Sequence, residues 1–299
     1  MTPEEKMPSE YDVGKTTDRS VHIGGGATNT VIHTGDNVTH IHQAPIPTLP
    51  KYCIDRDPHR KAIEKAIDKE SAVIIPLQGR HQEGHKLLSQ YAYVWAANKF
   101  QSSYLELDVD WPPKSDPSSQ LERLLEELVK ELTQKGIIHF HPGEETRLVE
   151  KLSQLDRELV VCHTIRFPRR VNASLFKTYL DTVWRPVLEK GRRPLLVFEF
   201  YFSRGHGFSG LFSFFTNRAD KRSVRHMKTL LSRFSSAHKI TVSNPPELKS
   251  LSLRELEHAC TLIHKDTLDR AEQRAAQIYE LTHGRYEPAV KQLMPKEGF

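Results

Sequence analysis

The sequence predicts an α/β fold: a mostly parallel sheet flanked by helices, with a short β segment in front and a small helical subdomain behind. Three observations carry this. The short continuous apolar runs AVIIPL (72–77), LVVCHTI (159–165) and LLVFEFYF (195–202) have the length and composition of strands buried on both faces. Amphipathic helical stretches lie between them, which is the βαβ alternation of a parallel sheet. The alternation stops near Asn244, and residues 250–299 read as helix alone.

The elements follow in order. Residues 1–20 are polar and without periodicity, and read as a disordered lead. Residues 21–43 hold three short β-branched runs separated by Gly25-Gly26 and Gly35-Asp36-Asn37, turn signals of a small β meander. A Pro-rich linker closes this segment at residue 50. The core, 51–249, opens with a helix from Asp57-Pro58 to about Glu70. Strand 72–77, helix 84–100, strand 103–109 and the amphipathic helix 118–135 come next. Strand 159–165, helix 173–190, strand 195–202, helix 224–234 and strand 239–242 complete it.

Composition sets bounds on function. The 299 residues are 37% hydrophobic and 27% charged, enough for a folded core. A net charge of +5 is mild beside the concentrated excess of most nucleic-acid-binding domains. Cys53, Cys162 and Cys260 form no CxxC pair, so reduced thiols and a cytoplasmic location are expected. No apolar leader and no membrane-spanning run is read from the chain.

The first core strand runs into QGRHQEGHKLL (78–88) and then into a helix, the setting of a phosphate-binding P-loop. Gly79 and Gly84 have the spacing of G-x4-G-K-[ST]. His85 stands where the phosphate-neutralising lysine belongs, and Lys86 comes one position late, a rotation of about 100° on a helix. Leu87 replaces the metal-binding hydroxyl, and a leucine cannot ligate a hard cation. The acid expected at the end of a later strand is best met by Glu199.

Together these residues resemble the STAND signalling NTPases, and more narrowly the inactive STAND (iSTAND) domains of bacterial conflict and signalling systems. The resemblance rests on DRDPHRKAIEKAI (55–67), the eroded loop, AHKITVSNPPELKSLSLRELEHAC (237–260) and THGRYEPAVKQL (282–293), and covers roughly 51–295. It implies a P-loop-NTPase-like sheet with a vestigial ATP or GTP site at Gly79, Gly84, His85, Lys86 and Glu199. It implies no cofactor and no catalysis, and an adaptor or sensor that couples a protein partner to an effector. The rival readings are an NTPase using Lys86 and Glu199 in modified roles, and a basic nucleic-acid-binding module.

Other features are weaker. His40 and His42 share a strand face, but no acid or cysteine completes a zinc set, so no metal site is expected. Cys162 and His163 are adjacent on a strand and point to opposite faces, which makes Cys162 inert core rather than a nucleophile. The clusters Arg166–Arg170, Lys190–Arg193 and Arg218–Arg233 serve a nucleic acid only if they gather on one face. The aromatic, glycine-rich stretch after Phe202 reads as a long loop, which either tucks its phenylalanines under the sheet edge or presents Phe208, Leu211, Phe212, Phe214 and Phe215 to a partner.

The β segment at 21–43 is too small to be stable alone and is expected to join a partner or a second copy. Deleting residues 1–50 should therefore lower the oligomeric mass seen by light scattering or weaken partner binding. If both are unchanged, the segment is a tether.

Overall fold

The computed structural model describes residues 30–34, 37–41, 56–69, 71–100, 104–112, 117–138, 147–155, 157–202 and 210–294. The chain divides into two compact units, Met1–Pro45 and Ile46–Phe299. In the first, β1 (Thr30–Thr34) pairs antiparallel with β2 (Asn37–Ile41), and Thr34 faces Asn37 at the closing end. That is the hairpin expected of two of the three β-branched runs. The first run and the lead at 1–20 lie outside the described residues.

The second unit is a five-stranded parallel sheet with helices on both faces. In chain order it contains α1 (Asp57–Ile67), β3 (Val73–Arg80), α2 (His85–Phe100), β4 (Tyr104–Asp110), α3 (Pro117–Gln134), α4 (Leu148–Gln154) and β5 (Glu158–Ile165). Then come α5 (Ala173–Tyr179), α6 (Arg185–Glu189), β6 (Leu195–Phe202), α7 (Gly210–His238) and β7 (Thr241–Val242). Three helices close the unit: α8 (Leu253–His264), α9 (Leu268–Thr282) and α10 (Tyr286–Leu293). The strand order is β4-β5-β6-β3-β7, every pair parallel, and the P-loop-like segment joins β3 to α2. This is a P-loop-NTPase-like α/β fold with C-terminal helices.

Side chains on successive strand residues point to opposite faces, so the sheet carries two cores. Val73, Ile75, Leu77, Cys162 and Val197 pack with α1, α2 and the three C-terminal helices. Ile74, Leu107, Val161, Phe198 and Phe200 pack against α3 to α7. Helix α3 contributes Leu124, Leu128 and Leu132 to the second core, spaced by four and all fully buried.

Pro76 lies inside β3 and fits there for a topological reason. Ile74 presents its carbonyl to Ser243, and Gln78 presents its carbonyl to Leu248, both on the β7 side. Pro76 faces the same side, beyond the end of the short β7, where no strand awaits its missing N–H. On the opposite edge, α3 covers outward peptide groups of β4: Lys135 Nζ donates to the Glu106 carbonyl, and the Asp108 N–H donates to Glu131 Oε2 at 3.4 Å.

Three expectations need amendment. The loop expected to run through Phe215 ends earlier, because residues 210–215 already belong to α7. Leu211, Phe212, Phe214 and Phe215 are therefore helical. No glycine or proline follows Gly210 before His238, so nothing breaks the helix that runs on through Val224, Met227 and Leu231. Phe208 lies outside the described residues. The helix expected over 173–190 is interrupted by a π turn at Leu180–Trp184, just before Pro186, whose ring nitrogen cannot donate into the α ladder. Helix α4 was not foreseen.

The second core centres on an aromatic stack. Phe198 lies 4.5 Å from the His163 ring at 13° and 5.3 Å from Phe176 edge-on, and His163 Nε2 bonds the Tyr179 hydroxyl at 2.7 Å. Phe198→Ala should lower unfolding free energy by about 3–5 kcal/mol in urea titration, the cost of a large buried cavity. A loss under about 1 kcal/mol would show that the stack is peripheral.

Candidate functional site

The glycines of the loop accommodate close neighbours from the C-terminal part of the chain. Gly79 is the penultimate residue of β3 and bridges to Leu248. A Cβ on it would stand 2.7 Å from Leu248 Cβ and 2.9 Å from Leu248 O. Gly84 has φ +89, and a Cβ there would meet the Tyr286 ring at 2.8 Å.

The segment between them is tied down from several directions. The Glu287 N–H donates to Gln82 O at 3.0 Å, and Arg285 Nη1 donates to Gln82 Oε1 at 2.9 Å. Glu83 is 1% exposed, and its Oε1 accepts from Ser250 Oγ at 2.7 Å. Burial raises the Glu83 pKa above the ordinary carboxylate value. Arg56, 2% exposed, donates to Glu83 O at 3.1 Å and Lys249 O at 2.8 Å, and its guanidinium lies 4.2 Å from the Tyr286 ring centre.

The candidate phosphate-site residues sit in contrasting surroundings. His85 opens α2, is fully buried, and lies against the Tyr201 ring at 4.2 Å, tilted by 36°. Burial holds its pKa down at about 3, so the ring is neutral at pH 7. Leu87 is packed in the first core. Lys86 is exposed and lines a cavity of about 410 Å³ at the carboxyl edge of the sheet, together with Glu106, Asp108, Cys162 and Glu199. Glu199 is 4% exposed and accepts from Ser89 Oγ at 2.5 Å and Tyr201 Oη at 2.7 Å. Burial raises its pKa as well.

The sheet register explains why the acids meet. Asp108 pairs with Cys162, Cys162 with Val197, and Thr164 with Glu199. Glu106, Asp108, Cys162 and Glu199 thus face the α2 side together. The sequence reading passed over Glu106 and Asp108. The signal was present in ELDVD (106–110), where alternation puts three carboxylates on one strand face. Cys162 and His163 point to opposite faces as expected, and Cys162 is packed in the first core, where it also borders the cavity. The basic clusters do not all gather on one face: Arg166–Arg170 follows the end of β5, and Lys190–Arg193 precedes the start of β6, the other end of the sheet. Among the described residues no helix is long and apolar enough to cross a membrane.

No protein-family model and no curated protein matches the chain. Solved structures with a similar fold include the Aeropyrum pernix ORC2 protein in its ADP form, at 15% identity and TM-score 0.47, covering 80% of this chain and 61% of that one. Cdc6p from Pyrobaculum aerophilum matches at 12% identity and TM-score 0.47, covering 84% and 62%. The A. pernix ORC1 protein in complex with DNA matches at 13% and 0.42, covering 83% and 60%. The chain therefore spans about three fifths of the length of these proteins.

The buried histidines give the loop region a pH signature. His85 and the 4%-exposed His59, whose pKa burial lowers to about 4, both have an ordinary value of 6.5. On acidification below 6.5 the unfolded chain takes up protons that the folded chain refuses, so these groups stabilise fully above 6.5 and progressively less toward 4. Glu83 and Glu199, with raised values, work in the opposite direction. In His85→Gln the loss of stability between pH 6.5 and 4 should be shallower by up to about 1.4 kcal/mol per pH unit in urea melts. An unchanged slope would show that His85 titrates normally.

Proposed function

We propose that this chain is a non-hydrolysing P-loop-type domain that acts as an adaptor or sensor. It would couple a protein partner to an effector, as the resemblance to iSTAND domains of bacterial defence and signalling systems implies. The observation that carries the reading is the packing of Arg285, Tyr286 and Glu287 onto Gln82–Gly84. The loop is braced through the Gln82 carbonyl and side chain and at Gly84 by the protein's own C-terminal segment.

The electrostatics support the same reading. Phosphoryl transfer depends on cations placed around the developing charge. Here the lysine position is a neutral His85, the hydroxyl position is the buried Leu87, and the neighbouring cavity is rich in carboxylates. These residues do not fit a magnesium-bound nucleoside triphosphate. A partner-binding role needs none of that chemistry.

Calorimetry of the full chain with ATP and with GTP, with and without Mg²⁺, should give no binding heat, and phosphate release should stay at the buffer control. Nucleotide affinity tighter than about 1 mM, or turnover that Lys86→Ala abolishes, would overturn the non-hydrolysing reading.

A further inference from the structure

The cavity beside the loop contains a donor set that the proposed function does not use. Glu106, Asp108 and Cys162 each bring one ligand atom to within 4.8 Å of the others. We propose that they form a binding site for a soft divalent cation of the zinc type, with water completing the coordination.

Three observations support the site. First, the register fixes it: Asp108 and Cys162 are directly paired across β4 and β5, and Glu106 is one pleat repeat away on the same face. Second, Cys162 is 2% exposed yet lines the cavity and is in no disulfide. Its sulfur hydrogen-bonds Ser89, which also donates to Glu199 Oε1 at 2.5 Å. Third, the cavity, at about 410 Å³, has room for an ion and its water.

The donor chemistry selects the ion. A thiolate with two carboxylates suits Zn²⁺, whereas Mg²⁺ and Ca²⁺ take oxygen ligands. Donors around one tetrahedral ion stand roughly 3.5 Å apart, so these must close by about 1 Å, which rotation of the half-buried Glu106 and the exposed Asp108 supplies. As the sulfur–metal bond forms, the Cys162 S–H bond breaks and its proton leaves to water, without any change of oxidation state. The site uses neither Leu87 nor any other loop residue, so it is independent of the nucleotide reading.

The test is titration of the full chain with Co²⁺, as a spectroscopic stand-in for Zn²⁺, followed by Zn²⁺ displacement. The expected result is one equivalent bound, with a sulfur-to-cobalt charge-transfer band that Cys162→Ser abolishes. Asp108→Asn, at an exposed position that leaves the core intact, should weaken binding about tenfold or more. Lys86→Ala should tighten it, because a competing cation is gone. Absence of the charge-transfer band overturns the site. So does cobalt binding that is unchanged in Cys162→Ser and Asp108→Asn, which would place the ion elsewhere, as on His22, His33, His40 and His42 of the N-terminal segment. Circular dichroism melts of each variant show whether a lost signal reflects lost folding, and Asp108→Asn decides the matter if Cys162→Ser does not fold.

Discussion

The guanidinium of Arg56 holds three parts of the molecule in one place. It is almost fully buried just before α1, binds the backbone of the β3–α2 loop and of the chain leading into α8, and lies against a ring of α10. A buried cation is costly unless its N–H groups are satisfied. Here carbonyl oxygens and an aromatic face provide the compensation, so each partner is needed where it is. The positions of Glu83, Lys249 and Tyr286 follow from that demand. The narrow approaches at Gly79 and Gly84 belong to the same packing, and there a side chain larger than hydrogen would collide with Leu248 or Tyr286.

The sheet edge beside this knot has the opposite character. Around the loop His85 is neutral and burial favours the protonated form of Glu83, beside the buried Arg56 guanidinium. On β4, three strands from β3, burial and then the neighbouring Asp108 raise the Glu106 pKa. Glu106, Asp108 and Glu199 come together at this edge because the parallel register aligns them on one face of the sheet.

Much of this was legible in the sequence. The apolar runs at 72–77, 159–165 and 195–202 became β3, β5 and β6 because parallel strands buried on both faces need continuous apolar residues. The late lysine and absent hydroxyl were visible as letters. The knot was not, because Arg285 and Gln82 are 203 positions apart, and Arg56 and Lys249 are 193 apart. No local periodicity reports such pairings. The extent of α7 was misjudged for a different reason: three glycines at 205–210 obscured a helical spacing that starts at the last of them. The acids of β4 were readable by their period of two, but a strand seen only as an element gives no hint of what its polar face meets.

The treatment of the two sheet margins bears on how the protein behaves at high concentration. An exposed strand edge with free N–H and C=O groups is a template for another chain, and so a route to aggregation. At one margin Glu131 of α3 and Lys135 just past its end engage the outward peptide groups of Asp108 and Glu106. At the other, β7 is two residues long, and past its end β3 presents Pro76, which has no hydrogen to donate. An incoming strand would meet side chains in the first case and a missing donor in the second. The sheet is thus guarded against edge-to-edge growth by a helix on one side and by an imino acid on the other.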